Sequence, residues 1–212
     1  MKAPSLQTVR VTLLVLFVLA LVCVPFVVLG EAFALPLLEA QQNRTGALIA
    51  IAVVLLAADS VAPVPSIPVI MYLAAKAGVF AGIIGGFVGL SAGVWVAALF
   101  GRTAVGRIAP KFIPEAELAR LRAAIQGKLV LTLACLRSVP VLAETSVILA
   151  AATGVPVKRI FLVTLLPNLV IATIYALAAD ASLGTAAITL VATLAASYVL
   201  WRALGGASRK KP

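Results

Sequence analysis

From Gly78 to Phe100 the chain runs without one charged side chain, and a second such run extends from Ile160 to about Ala179. No other feature constrains the fold as strongly. A helix that crosses a bilayer needs roughly 20 mostly apolar residues, and only helices or closed barrels satisfy their own backbone groups in hydrocarbon. Composition agrees, since 63% of the 212 residues are hydrophobic, 11% are charged and the mean hydropathy is +1.18. A soluble domain could not cover itself with so few polar groups. The expectation is an all-α, polytopic membrane protein with a single membrane domain over residues 1–212 and room for four to six crossings.

A first apolar run, Val11 to Gly30, follows Lys2 and Arg10. It is too long for a signal peptide and no small-x-small site ends it, so it reads as a retained helix. Cys23 and Cys135 both lie in apolar runs, which makes them small buried hydrophobes rather than a disulfide.

The net charge of +10 and pI near 10.3 invite a nucleic-acid reading. The positions of the charges argue against it. Lys2 and Arg10, the six basic residues between Arg102 and Lys128, Lys158 and Arg159, and Arg202 with the Arg209-Lys210-Lys211 tail all sit where apolar runs end. Cytoplasmic membrane loops carry such an excess of Lys and Arg. Membrane lipids are therefore the expected partners, and no nucleic acid is implied.

Two stretches break this pattern. Gly46 to Ala58 is too short to cross and meets Asp59-Ser-Val-Ala-Pro63-Val-Pro65-Ser-Ile-Pro68, where three prolines remove backbone donors and forbid a continuous helix. Val69 to Ala75 is short too, and the Gly78–Phe100 run follows. The second half repeats the plan: Leu129 to Leu136, then Arg137-Ser-Val-Pro140-Val-Leu-Ala-Glu144, then Thr145 to Thr153, then the second long run. A last helix is expected from about Thr185 to Trp201.

If each broken stretch crossed completely, the loop 102–128 would lie outside, against the positive-inside bias. If each enters and leaves on one face, all these basic residues lie on the cytoplasmic side, with both chain termini. The first hairpin then dips in from outside and the second from inside, which is an inverted repeat. Non-helical backbone at that depth lines a cavity or is packed in protein. Ordinary kinked crossings with mixed topology are the alternative.

Ionisable groups at the hairpin tips cost about 2.5 to 3.5 kcal/mol each at mid-bilayer, so they require partners or a task. Arg137 offers a permanently charged donor fork suited to phosphate, and Asp59 and Glu144 are carboxylates placed to carry a proton. With Pro63, Pro65 and Pro140 at the breaks, these residues form the candidate substrate site for an anionic lipid headgroup. An internal ion pair of Arg137 with Glu144 or Asp59 is the simpler alternative. Asn168 either lines the cavity or bonds between helices, and Lys76 either attracts an anion or snorkels to the interface. Gly82-x3-Gly86 and Gly85-x3-Gly89-x3-Gly93 allow close helix approach. Glu115, Glu117, Arg120 and Arg122 with Leu118, Leu121 and Ile125 suggest an amphipathic helix on the inner surface, its charges forming a solvated face.

The chain has no histidine, no cysteine pair at ligand spacing and no phosphate-binding G-x4-G-K-[ST]. A zinc site, a Ser-His-Asp triad and an ATPase engine are thereby excluded, and neither an enzyme nor a cofactor is expected. Transport would be passive or coupled to an ion gradient. Association into a homo-oligomer is left open.

The proline-broken stretch after Asp59, the Phe100-Gly101-Arg102 end of the glycine-rich run, Arg137-x2-Pro140, and Ala151-x2-Gly154 with Arg159-x-Phe161 resemble the DedA or VTT-domain family. The likeness covers residues 46 to 180. It implies two re-entrant hairpins, a bacterial inner-membrane location and movement of lipids such as undecaprenyl phosphate or phospholipids between leaflets. By position Arg137 resembles the first arginine of the family's R-x2-P-x2-R element. Ala143-Glu144 stands where the second would be, and Pro65-Ser66-Ile67 lacks the family's Pro-Gly-acid.

Overall fold

The computed structural model describes residues 34–59, 64–137, 139 and 142–179, together with scattered positions of the first and last apolar runs. Every element among the described residues is helical. After a short helix α1 (Ala34–Glu39) come α2 (Thr45–Ala58), α3 (Ser66–Ala77) and the long α4 (Val79–Phe100). A π-helical turn (Gly101–Val105) leads into α5 (Gly106–Phe112), followed by α6 (Glu115–Gly127), α7 (Leu129–Leu136), α8 (Leu142–Ala152) and the long α9 (Val157–Leu177). Of the expected last helix only Val191, Ala192, Ala195 and Val199 are described, each of them helical; Cys23 lies outside the described residues, and Cys135 is buried in α7.

The prolines decide where α2 and α3 part. Pro65 precedes α3 with non-helical backbone angles (φ −72°, ψ 89°), and Pro68 falls in the first turn of α3, where its missing N–H costs nothing. The long helices α4 and α9, with Val79–Phe112 continuous, are long and apolar enough to cross a bilayer. At roughly 1.5 Å per residue α2 reaches only about 21 Å, and α3 and α8 less.

The two halves share one backbone plan. The first helix of each pair ends at Ala58 and at Leu136, and each long helix begins at Val79 and at Val157, so the plan repeats 78 positions on (58 to 136, 79 to 157). Each pair also closes on a glycine at positive φ, Gly78 at 93° and Gly154 at 87°. Only glycine adopts such a turn without strain.

Packing exchanges the halves. α4 lies against its own α2 and α3 but also against α8; α9 lies against its own α7 and α8 but also against α3. The long helices run antiparallel, as contacts along them require. Gly82 faces Ala176, Gly86 faces Ala172, Ser91 meets Asn168, and the Trp95 and Phe161 rings sit 5.4 Å apart. One buried cluster gathers Leu48, Leu56, Ile70 and Leu73 with Tyr175 and Ala176; another gathers Val94 and Ala98 with Val147, Ile148 and Ile160. α4 therefore runs from the first core to the second, and α9 returns.

The glycines of α4 seat these contacts. A Cβ at Gly89 would meet Leu56, one at Gly85 would meet Leu73, and one at Gly93 would come within 2.8 Å of the Leu56 carbonyl. The helix also continues beyond the expected stop at Gly101. Gly101, Val105 and Ala109 are buried at four-residue spacing while Arg102, Arg107 and Lys111 face outward, so the basic segment opens as helix rather than loop.

α6 forms where its amphipathic pattern predicts, yet its charges are not all solvated. Leu118 is buried and Leu121 and Ile125 pack on the second core. Arg122 donates through Nε to the Thr153 carbonyl at the end of α8, its guanidinium lying over Gly154. Glu117 is buried as well, with Oε2 lacking a hydrogen-bond partner. The apolar stripe of α6 is narrow, and docking it on the core turns the flanking Glu117 and Arg122 inward.

Candidate functional site

Each break between paired helices is spanned by a side-chain bond. In the first, Asp59 follows the last residue of α2, where the helix dipole disfavours negative charge. Local donors compensate: the Val64 N–H donates to Oδ1 at 3.2 Å, and Ser66 Oγ, in the first turn of α3, donates to Oδ2 at 2.5 Å. In the second, the dipoles help. Arg137 follows the last residue of α7 and Glu144 lies in the first turn of α8, a cation at a carbonyl end and an anion at an amide end. Nη1 of Arg137 lies 3.1 Å from Oε1 of Glu144.

Arg137 is held on every nitrogen. Nε donates to Asn168 Oδ1 at 2.6 Å and Nη2 to the Leu90 carbonyl of α4 at 3.2 Å. Asn168 in turn donates from Nδ2 to Ser91 Oγ at 3.2 Å. The side chain of Arg137 is 4% exposed and that of Glu144 13%. One guanidinium thus ties α7, α8, α9 and α4 together, through a fork whose planar geometry lysine lacks.

Asp59 does not bond to Arg137. It lies within electrostatic reach of both Glu144 and Arg137. The resulting cluster holds two carboxylates and one guanidinium. Thr145, next to Glu144 in the chain, is buried and its Oγ1 has no hydrogen-bond partner.

Of the residues singled out in the sequence, Arg137, Glu144 and Asn168 come into direct contact, and Asp59 joins them at longer range. Asn168 serves as the interhelical link. Pro65 shapes the start of α3. Pro63 and Pro140 lie outside the described residues. Lys76 is exposed, its ammonium 5.9 Å from the Tyr72 ring centre, remote from the cluster's bonds. Ser66, Ser91, Thr145 and the Leu90 carbonyl belong to the cluster without having been singled out by sequence. Ser66 carries a signal, because it stands 78 positions before Glu144 as Asp59 stands 78 before Arg137 (66 to 144, 59 to 137). A carbonyl has none.

No cluster of three or more metal-ligating His, Cys, Asp or Glu side chains occurs among the described residues. Set against known proteins the chain finds no counterpart: no family model matches it, and neither does any curated protein or solved structure.

Proposed function

We propose that the chain is a multi-pass membrane protein whose two broken helix pairs dip into the bilayer from opposite faces, and whose tips form an intramembrane site that passes the phosphate-bearing headgroup of a lipid between leaflets. The observation that carries this reading is the excess of acid groups at the tips, two carboxyl groups within reach of a single buried guanidinium. A merely structural ion pair needs no second acid. A phosphate that displaced Glu144 from Nη1 of Arg137 would meet a permanently charged fork.

The membrane assignment is supported by the outward faces of the long helices. Phe80 is 82% exposed and Leu166 70%, and Ile84, Trp95 and Leu162 are exposed with them. Water would penalise such a girdle, whereas hydrocarbon accepts it. The antiparallel run of α4 and α9 and the 78-residue repeat support the inverted arrangement. The resemblance to the DedA or VTT-domain family supports a lipid as cargo.

A second reading has its own observation. Arg137 is buried and bonded on all three nitrogens, as expected of a non-transporting membrane scaffold or envelope-assembly factor held together by its buried charges. Reconstitution separates the two. In vesicles carrying labelled undecaprenyl phosphate or phospholipid, the wild-type chain accelerates exchange between leaflets, faster with a proton gradient, and Arg137→Gln abolishes it. Equal rates for wild type and empty vesicles would leave the scaffold.

A further inference from the structure

The helix that begins at Val79 continues without a break to Phe112, 34 residues in all. At about 1.5 Å per residue it is about 51 Å long, against a hydrocarbon core of roughly 30 Å. The charge-free part ends at Gly101, so on the membrane reading proposed above the last twelve residues or so emerge at the bilayer surface. Their outer face is unusual. Arg102, Arg107 and Lys111 are exposed, no acidic residue accompanies them between Gly101 and Phe112, and among them Ile108 (42% exposed) and Phe112 (70%) point outward too.

Basic residues alone would suit any polyanion. Exposed apolar side chains interleaved with them are suited to a lipid surface, where acyl chains meet phosphate. A soluble acidic protein or a nucleic acid offers no such boundary. We infer that the segment Gly101–Phe112 is a binding arm for anionic phospholipid headgroups of the leaflet it faces, Arg102, Arg107 and Lys111 contacting phosphate while Ile108 and Phe112 sit among the first acyl carbons.

The inner face of the arm makes this more than an anchor. A Cβ at Gly101 would collide with the Ile148 backbone, and one at Gly106 would come within 3.4 Å of the Ala152 carbonyl. The arm therefore rests backbone to backbone on α8, the helix that carries Glu144. Lipid gathered on the outer face bears directly on the second broken pair.

Trp95 provides the test, since it is 41% exposed on α4 and seven residues, about 10 Å, before Arg102. With Trp201→Phe it is the sole tryptophan of the chain. The full-length protein is reconstituted in phosphatidylcholine vesicles with graded fractions of brominated phosphatidylglycerol or brominated phosphatidylcholine, and quenching of Trp95 gives the relative affinity. The anionic lipid should be preferred at least about threefold, and high salt should reduce the preference. Arg102→Gln, Arg107→Gln and Lys111→Gln together should bring the ratio to about one, and lysine at both arginine positions should keep it. Equal quenching by both lipids in the wild type would overturn the arm and point to an acidic protein as its partner. An unchanged preference in the triple variant would overturn it as well. Absence of quenching by either lipid would overturn the membrane reading itself, and the arm with it.

Discussion

Asp59 accepts a hydrogen bond from Ser66 across the break between α2 and α3, seven positions on, and Arg137 reaches Glu144 across the break between α7 and α8 over the same seven. The two clasps occupy equivalent places in the 78-residue repeat but differ in kind. The first is a carboxylate held by a hydroxyl and an amide; the second is an ion pair.

Loss of the first clasp should loosen α2 from α3. Ser66→Ala leaves the Asp59 carboxylate short of a donor, at a cost of about 1 to 3 kcal/mol. Asp59→Asn with Ser66→Ala should cost less than the two single changes added, because each removes the other's partner. Thermal unfolding of the purified protein in detergent checks both.

The second clasp predicts a larger asymmetry. Glu144→Leu abandons a buried guanidinium and should cost about 3 to 5 kcal/mol, whereas Arg137→Met with Glu144→Leu should be much milder, since neither charge is then left alone. Asn168→Ala removes acceptor and donor together and should cost about 1 to 3 kcal/mol. If the double variant unfolds at the same temperature as Glu144→Leu, Arg137 and Glu144 are not a pair.

Much of this architecture is legible in the residues themselves. The ends of α2 and α7 fall at Ala58 and Leu136, where a carboxylate and an arginine interrupt the apolar runs. Arg137, Glu144 and Asp59 stand out as charges in apolar surroundings. What stays hidden depends on approach rather than on type. The helix passes Gly101 because that glycine is a contact with Ile148 rather than a stop, and Arg122 turns inward because the end of α8 happens to lie beneath it. The Leu90 carbonyl becomes a ligand of Arg137 only when the two halves are packed.

Glycines that look alike in sequence should behave differently. Gly93→Ala brings a methyl against the Leu56 carbonyl and Gly101→Ala brings one into the Ile148 backbone, so each should destabilise by about 1 to 3 kcal/mol. Gly127, at the end of α6, has open space where a methyl group would stand, and Gly127→Ala should be neutral or stabilise by up to about 1 kcal/mol. Melting temperatures of the first two variants should fall below that of the wild type, and that of the third should match or exceed it.

Arg122 predicts a local effect. It satisfies the Thr153 carbonyl, one of the groups a helix end leaves unpaired, so Arg122→Gln should raise amide exchange in residues 149–155 several-fold. Arg120→Gln, an exposed change two residues away, should leave exchange there untouched. Uniform faster exchange over the whole chain would show that Arg122 supports the fold generally and not the end of α8.

The inverted arrangement makes the last prediction, and it requires residues that report a side without disturbing a clasp. Ser66 bonds to Asp59 and is unsuitable; Ile67, its neighbour, is half-buried and free of that bond. With Cys23 and Cys135 replaced, single cysteines at Ile67, Glu115 and Leu142 are exposed to an impermeant thiol reagent in oriented vesicles. On the proposed arrangement, in which the first break opens outward and the second inward, Ile67→Cys should react from the outer face, and Glu115→Cys and Leu142→Cys from the cytoplasmic face. Reaction of Glu115→Cys from outside would place the basic segment on the wrong side for the positive-inside bias. The two breaks would then be kinks in full crossings, and Arg137 and Asp59 would face one another inside a bundle with no opposing vestibules to connect.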